Sequence, residues 1–253
     1  MPETSDIGWD STTGSLIREC VEGILNPNDK NALEAALQIR EQHGGAITAL
    51  SMGPRQAEDA LREALSMGVD KALLLNDRIF AGSDTLSTSY ALHCAIKKMS
   101  HFDLILCGKE SWDAMTAHVG PQLSELLNLP QLTYATEITI HNNSVRIKQK
   151  LEDGFRVLES SIPALITVEK EINQPRIPSM ESIMNAYRDK EVQVWTNEDL
   201  GEDTIHFGLN GSPTQSRNVY IKKVHKGKIT MLEGKSDEVA RNLIQLLKQK
   251  DLL

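Results

Sequence analysis

Short apolar runs alternate with stretches of helical spacing from residue 46 to residue 130, the pattern of repeated strand-turn-helix units. Ala46 to Leu50 and Lys71 to Leu75 read as buried strands, and Asp103 to Cys107 reads as a third that ends at Gly108. Ala60, Leu61, Ala64 and Leu65 mark a helix that Gly68 ends, and Leu86, Ala91, Ala95 and Ile96 mark another over Thr85 to Lys98. A further amphipathic helix opens near Thr116. Ahead of these units, Asn26-Pro27-Asn28-Asp29 supplies a polar cap candidate, a first-turn proline and an acid at the positive end of the helix dipole. A helix therefore starts there, continues through Ala32, Leu33, Ala36 and Leu37, and stops at Gly44-Gly45. Residues 8 to 25 alternate weakly about Gly14 and suit a small hairpin or an extended excursion. Three successive units predict an α/β fold, a doubly wound parallel sheet whose ligands bind beyond the carboxyl ends of the strands. Loops 51 to 54, 77 to 84 and 108 to 116 point to that edge.

After Pro130 the pattern changes to alternation by twos. Thr133 to Ile140, an Asn142-Asn143 turn, Val145 to Lys150, an Asp153-Gly154 turn and Phe155 to Ser160 predict a small antiparallel β meander. Ala164 to Val168 reads as a return strand into the main sheet, and a proline-bearing loop, Asn173 to Pro178, leads to a short helix from Met180 to Ala186. Beyond Leu200 the chain turns polar, with Gly208, Gly211, Ser212 and Pro213 in a loop, and an amphipathic helix from about Ser236 to Lys248 closes it. The expected organisation is an α/β domain over residues 1–195, with the meander at 131–160, and a C-terminal arm over 196–253 that packs on a partner subunit or on its own domain.

Composition changes this picture mainly by exclusion. The 253 residues carry 40% hydrophobic and 25% charged side chains, ordinary for a globular domain, and a net charge of −8 that argues against a nucleic-acid partner. No apolar run approaches the roughly 20 residues that span a bilayer, and no basic and apolar leader opens the chain, so no membrane insertion and a cytoplasmic location are expected. Cys20, Cys94 and Cys107 lack metal-ligand spacing. No Ser-His-Asp arrangement or P-loop lysine is present, and no catalytic residue in the acid/base or nucleophilic sense is expected. What remains is the strand, glycine, loop and helix start from Asp103 to Pro121. Unpaired N–H groups at such a point suit a phosphate or a nucleotide, although most strand-to-helix turns look alike and bind nothing.

Taken in order, several stretches resemble the β subunit of electron transfer flavoproteins. They are Asn26-Pro27; Ser51-Met52-Gly53-Pro54; Asp77-Arg78 with Gly82 to Ser89; Asp103 to Gly108 with Asp113 and Val119-Gly120-Pro121; Leu129-Pro130-Gln131; Pro163 to Val168; Asn173-Gln174-Pro175-Arg176; and Gly211 to Gln215. The resemblance covers nearly the whole chain. It implies an adenine-nucleotide-binding α/β fold and a heterodimer with a flavin-carrying α subunit that shuttles electrons between dehydrogenases and an acceptor. The β subunit would hold AMP, or FAD in the same place in bifurcating members, where NADH is a transient donor. The segments Gly82 to Ser89 and Gly211 to Gln215 look like that bifurcating branch.

Carried over by position, the cofactor-binding residues are Asn26, Pro27, Asn28, Asp29, Met52, Asp84, Thr85, Thr88 and Gly108, with the loop Glu110, Ser111, Trp112, Asp113, Ala114, Met115, Thr116, Ala117, His118, Val119, Gly120 and Pro121. Met52 would pack an adenine face; the Ser111 and Thr116 hydroxyls would hold phosphate. Thr85 and Thr88 would sit on the FAD phosphates, or else merely cap their helix. The loop departs from the family at Glu110 and His118, where glutamines are usual, and at Met115, where an acid is usual. A carboxylate at Glu110 is unfavourable beside phosphate unless it turns outward or pairs with Lys109.

Residues 173–190 match the family's recognition loop for dehydrogenases, with Met180 at the place of its anchoring leucine, either exposed for partner contact or buried under the short helix. The family's apolar first strand has no counterpart before Pro2. In a doubly wound sheet that strand is central, so a gap with unpaired backbone groups is expected, and Met1 is expected not to be the native start, with about ten residues missing. The alternatives are a nucleotide-binding regulatory module of the same fold without a redox role, and a scaffold subunit that has lost its nucleotide.

Overall fold

A computed structural model describes residues 8–10, 15–17, 23–99, 101–214 and 231–252. Its elements follow the expected alternation closely. Two short strands, β1 (Gly8–Asp10) and β2 (Ser15–Ile17), pair antiparallel as a small hairpin. Helix α1 (Pro27–His43) begins with its proline in the first turn and ends at Gly44, whose φ of 79° a residue with a side chain rarely adopts.

Strand β3 (Thr48–Met52) lies two residues later than the apolar run Ala46 to Leu50 suggests, because Asp70 accepts the Ile47 amide at 2.7 Å and holds that residue outside the ladder. Helix α2 (Ala57–Met67) stops at Gly68, and β4 (Lys71–Leu75) follows. Helix α3 (Thr85–Met99) leads to β5 (Leu104–Gly108), and α4 (Val119–Leu126) starts three residues beyond the expected Thr116.

The meander β6 (Gln131–His141), β7 (Ser144–Lys150) and β8 (Phe155–Ser161) is antiparallel as expected, and β9 (Ala164–Val168) returns parallel to β5 and to β6. The meander is therefore continuous with the main sheet. Helix α5 (Met180–Arg188) is followed by β10 (Val192–Trp195) and the one-turn α6 (Asn197–Leu200), two elements the apolar pattern does not announce.

The strands form two principal sheets rather than one. β10-β4-β3 is wholly parallel, and β5-β9-β6-β7-β8 is mixed. Layering follows from the alternation of side chains. Leu104 and Leu106 of β5 face a cluster of Ala32, Ile166 and Val168 on the α1 side, while Ile105 and Cys107 face Ile96, Leu123 and Leu165 on the α3 and α4 side.

The chain divides into two compact units, residues 1–217 and 218–253. Within the first, residues 204–214 hook onto α3. Phe207 is buried edge-on to Phe80 at 5.1 Å, the Ser87 hydroxyl donates to the His206 carbonyl at 3.1 Å, and the Ser212 hydroxyl donates to the Gly208 carbonyl at 2.7 Å. Within the second unit, α7 (Ser236–Gln249) is amphipathic and none of its residues is buried. Among the described residues no helix is long and apolar enough to cross a membrane.

The hook depends on Gly208, whose φ is +56° and at which a Cβ would lie 2.2 Å from the Ile79 carbonyl oxygen; Gly201 has a φ of +71° but open space around it. Gly201→Ala is expected to cost about 1–2 kcal/mol, the left-handed backbone penalty alone, and Gly208→Ala distinctly more, measured by urea unfolding. Equal losses would show that the close approach contributes nothing.

Candidate functional site

The start of α1 and the end of β5 meet at Gly108. Its amide donates to Asp29 Oδ1 at 2.7 Å, and a Cβ there would fall 2.6 Å from the Asn28 backbone, so only glycine lets the helix come this close. Asn26 sits at the helix start, but its side chain does not cap the helix. Its Nδ2 donates instead to Asp29 Oδ2 and to the Glu110 carbonyl, each at 2.9 Å, and Asn28 Nδ2 donates to the same carbonyl at 2.9 Å. Asn26 is 7% exposed, and its Oδ1 is buried with no hydrogen-bond partner among the described residues. Turning the amide over would set Oδ1 against two acceptors, so the orphan is an acceptor waiting for a donor, and such a group costs about 1–3 kcal/mol if left unpaired.

Burial pushes the Asp29 carboxyl above the ordinary carboxylate value, against the pull of the bonds from Asn26 and Gly108. The neighbouring Cys107 thiol is pushed up to about 12 by burial and by the charge of Asp29, which leaves it an inert packing group. Lys109 does not pair with Glu110. It reaches Glu169 at 3.4 Å and lies 5.7 Å from the centre of the Tyr134 ring.

From Glu110 the loop turns tightly, the Met115 amide donating to the Ser111 carbonyl at 2.9 Å. Met115 and Ala117 both take left-handed backbone, with φ of 50° and 54°, where the chain has no glycine to relieve it. Trp112 is 56% exposed, and Asp113, Ala114, Met115 and His118 are exposed too, while Ser111 and Thr116 are half-buried. His118 precedes α4 without a side-chain cap, so the first amides of that helix are free of side-chain acceptors. Gly120 packs closely: a Cβ there would meet Thr167 Cγ2 at 2.7 Å. Pro121 follows in the first turn.

The second predicted group adjoins this one. The Ser89 hydroxyl, one turn into α3, donates to the Val119 carbonyl at 3.2 Å, which sets the starts of α3 and α4 side by side. At the head of α3 the Asp84 carboxylate accepts from the Leu86, Ser87 and Thr214 amides at 3.0, 3.1 and 3.0 Å. Burial raises its pKa, but those amide bonds outweigh it and hold the carboxyl below the ordinary value. Asp84 is thus a helix cap that also anchors the hook, and it leaves the Thr85 and Thr88 side chains as the free donors at this end. Met52 ends β3 and packs against the cluster of Leu75, Phe80, Ala91 and Phe207.

Met180 lies apart from these groups, on α5. It is 75% exposed and Ile177 94%, with Met184 and Tyr187 exposed beside them. This face is held from both ends. Arg62 Nη1 donates to the Ala186 and Lys190 carbonyls at 2.6 and 3.0 Å, and Arg176 pairs with Glu34 at 2.7 Å and Glu41 at 2.6 Å. Neither arginine nor Ser89 carries a sequence signal for these roles, since each acts on a partner 30 or more residues away.

The raised Asp29 carboxyl gives a signed test. A raised acid contributes most below the unfolded value of 3.8 and loses that contribution as pH rises through its folded value. The stability of the native chain relative to Asp29→Asn, from urea unfolding, is expected to be greater at pH 4 than at pH 7. A flat or reversed difference would contradict the burial described.

Residues 13–200 match the electron transfer flavoprotein domain family. The chain is 44% identical to electron transfer flavoprotein subunit beta of Thermoanaerobacterium thermosaccharolyticum, over 100% of this chain and 96% of that protein. It is 42% identical to the caffeyl-CoA reductase-Etf complex subunit CarD of Acetobacterium woodii, over 100% and 97% of the two chains, and 40% identical to protein FixA of Azorhizobium caulinodans, over 96% and 89%. With the strand-to-helix cradle at Gly108 in place and relatives matched along almost their whole length, this chain belongs to the β-subunit branch of the electron transfer flavoprotein family.

Proposed function

We propose that this chain binds an adenine nucleotide, AMP or the adenosine diphosphate part of FAD, between α1, β5 and the loop 109–118, and that it works as the β subunit of a heterodimer with a flavin-carrying α subunit. The observation that carries the reading is Asn26 Oδ1, a buried acceptor without a donor beside the junction of α1 and β5. Asn26 Oδ1, beside the Glu110 carbonyl, makes that end an acceptor. It suits the amino or hydroxyl groups of a nucleoside and disfavours phosphate. The uncapped start of α4, with the Thr116 and Thr88 hydroxyls, is the end rich in donors, where a helix N-terminus favours an anion.

A flavin, when bound, supplies the electron-transfer chemistry, and the chain's part is to bind, orient and set the electrostatics around it. Membership of the family supports electron transfer over a regulatory role. The apolar face of α5, with Met180 at its start, suits the adaptable contact of a dehydrogenase surface, and the unburied stripe of α7 suits packing on the α subunit.

Co-expression with a flavin-carrying α subunit, followed by acid extraction and chromatography, tests the binding claim. One adenine nucleotide per β chain is expected beyond the FAD of the α subunit; a second FAD bleached by NADH would identify the bifurcating type, and AMP the other. Asn26→Leu is expected to weaken retention of that nucleotide about 10- to 100-fold while the FAD of the α subunit stays. A heterodimer that carries a single FAD and no other nucleotide would refute the reading. Met180→Asp is expected to slow turnover with a partner dehydrogenase at least tenfold with an unchanged melting temperature, since the side chain is exposed; unchanged turnover would remove α5 from the contact.

A further inference from the structure

Helix α1 carries two sets of contacts on one body. Its start forms the cradle, where Asn26 and Asn28 hold the Glu110 carbonyl and Asp29 accepts the Gly108 amide. The next two turns hold the segment that leads into α5. Buried Asn31 donates from Nδ2 to the Lys170 and Asn173 carbonyls at 3.2 and 2.9 Å and to Asn173 Oδ1 at 3.0 Å, and Asn173 Nδ2 donates back to the Asn31 carbonyl at 3.0 Å. Buried Glu34 accepts the Arg176 amide at 3.1 Å and its guanidinium at 2.7 and 3.0 Å. Burial opposes the Glu34 charge, but the bonds from Arg176 outweigh it and hold the carboxyl below its ordinary value.

From Asn173 to Pro178 the chain lies outside helix and strand, and its hydrogen bonds among the described residues run to α1. Pro175 and Pro178 have no amide to offer, and Ile177 is almost fully exposed. The path of this segment is therefore set by α1. The start of α1 is in turn short of one donor: Asn26 does not cap the helix, and its buried Oδ1 has no partner among the described residues. A helix start with an unpaired buried acceptor is a place where local opening costs least. In a helix the amide of Asn31 bonds the carbonyl of Pro27, so opening of the first turn releases Asn31 and, with it, the segment that Asn31 holds.

We propose that filling the nucleotide site orders residues 170–179 through the first turns of α1 and so fixes the docking face of α5. The inference rests on the proposed nucleotide site and α5 contact, and it adds how the two are linked. The coupling needs two states of the first turn, closed and locally open. A nucleotide that donates to Asn26 Oδ1 binds the closed state alone, so occupancy shifts the equilibrium toward it. By reciprocity, the contacts that hold residues 173–176 on α1 raise nucleotide affinity. Lys109, next to Gly108, adds a second tie in the same direction by pairing with Glu169 at 3.4 Å, just ahead of the segment. With the nucleotide in place a partner meets a fixed α5, and without it a loosely held one.

Amide hydrogen exchange of the full chain tests the link, with AMP and then FAD as probes. In the free chain the Asn31 and Arg176 amides are expected to exchange through one opening, with the same free energy and with a urea dependence below that of global unfolding. With nucleotide at a hundredfold excess over its dissociation constant, both amides and that of Gly108 are expected to slow about a hundredfold, while the Leu151 amide in the β7–β8 turn keeps its rate. Asn173→Ala, outside the cradle, is expected to weaken binding of the same nucleotide at least about fivefold. An Arg176 amide that opens separately, or keeps its rate while Asn31 and Gly108 slow, would overturn the link and leave the nucleotide site standing, as would an unchanged affinity in Asn173→Ala. No slowing at any of the three with either nucleotide would overturn both.

Discussion

The close contact between the start of α1 and the end of β5 is the constraint on which the rest of this structure depends. One glycine without a side chain, one buried carboxylate and two asparagine amides join a helix to a strand about 80 residues further along the chain. These bonds place the root of the loop 109–118, because the Glu110 carbonyl is held by Asn26 and Asn28 together. They also fix where α1 starts relative to β5. The carboxylate and the thiol nearest this contact are both pushed toward their neutral forms by burial, so the junction tolerates little added charge.

That constraint fixes the root of the loop 109–118 independently of the side chains it carries. Its root is fixed through backbone carbonyl and amide groups, which Glu110 supplies as well as a glutamine would. The altered side chains instead change what the loop offers a ligand. Glu110 stands at the root with a partly buried side chain, and Met115 presents an exposed apolar side chain in the turn.

The strands of the parallel core were legible in the sequence because burial on both faces leaves unbroken apolar runs: Lys71 to Leu75 and Ala164 to Val168 fall where expected. Helix ends marked by Gly44 and Gly68 were legible for the same local reason. β10 was not, since Val192-Gln193-Val194-Trp195 is only four residues long, alternates, and gains its place from pairing with β4. The start of α4 was misjudged by three residues because left-handed backbone at Met115 and Ala117 extends the loop without any glycine to announce it.

The candidate site was half legible. Asn26, Asp29 and Gly108 do meet, but the reading of Asn26 as a helix cap missed its real partners, which lie across the fold. Asp84 shows the same limit: its position heads α3, yet its third bond, to the Thr214 amide, becomes visible only once residues 204–214 fold back.

The most direct measurement is the side-chain amide signal of Asn26 by nuclear magnetic resonance, in protein labelled at asparagine and titrated with AMP. A saturating shift of the Asn26 signal, together with that of the Gly108 amide, is the result expected if Asn26 Oδ1 receives its missing donor from the nucleotide. An Asn26 signal that stays unchanged while AMP binds, or no binding at all, would contradict it.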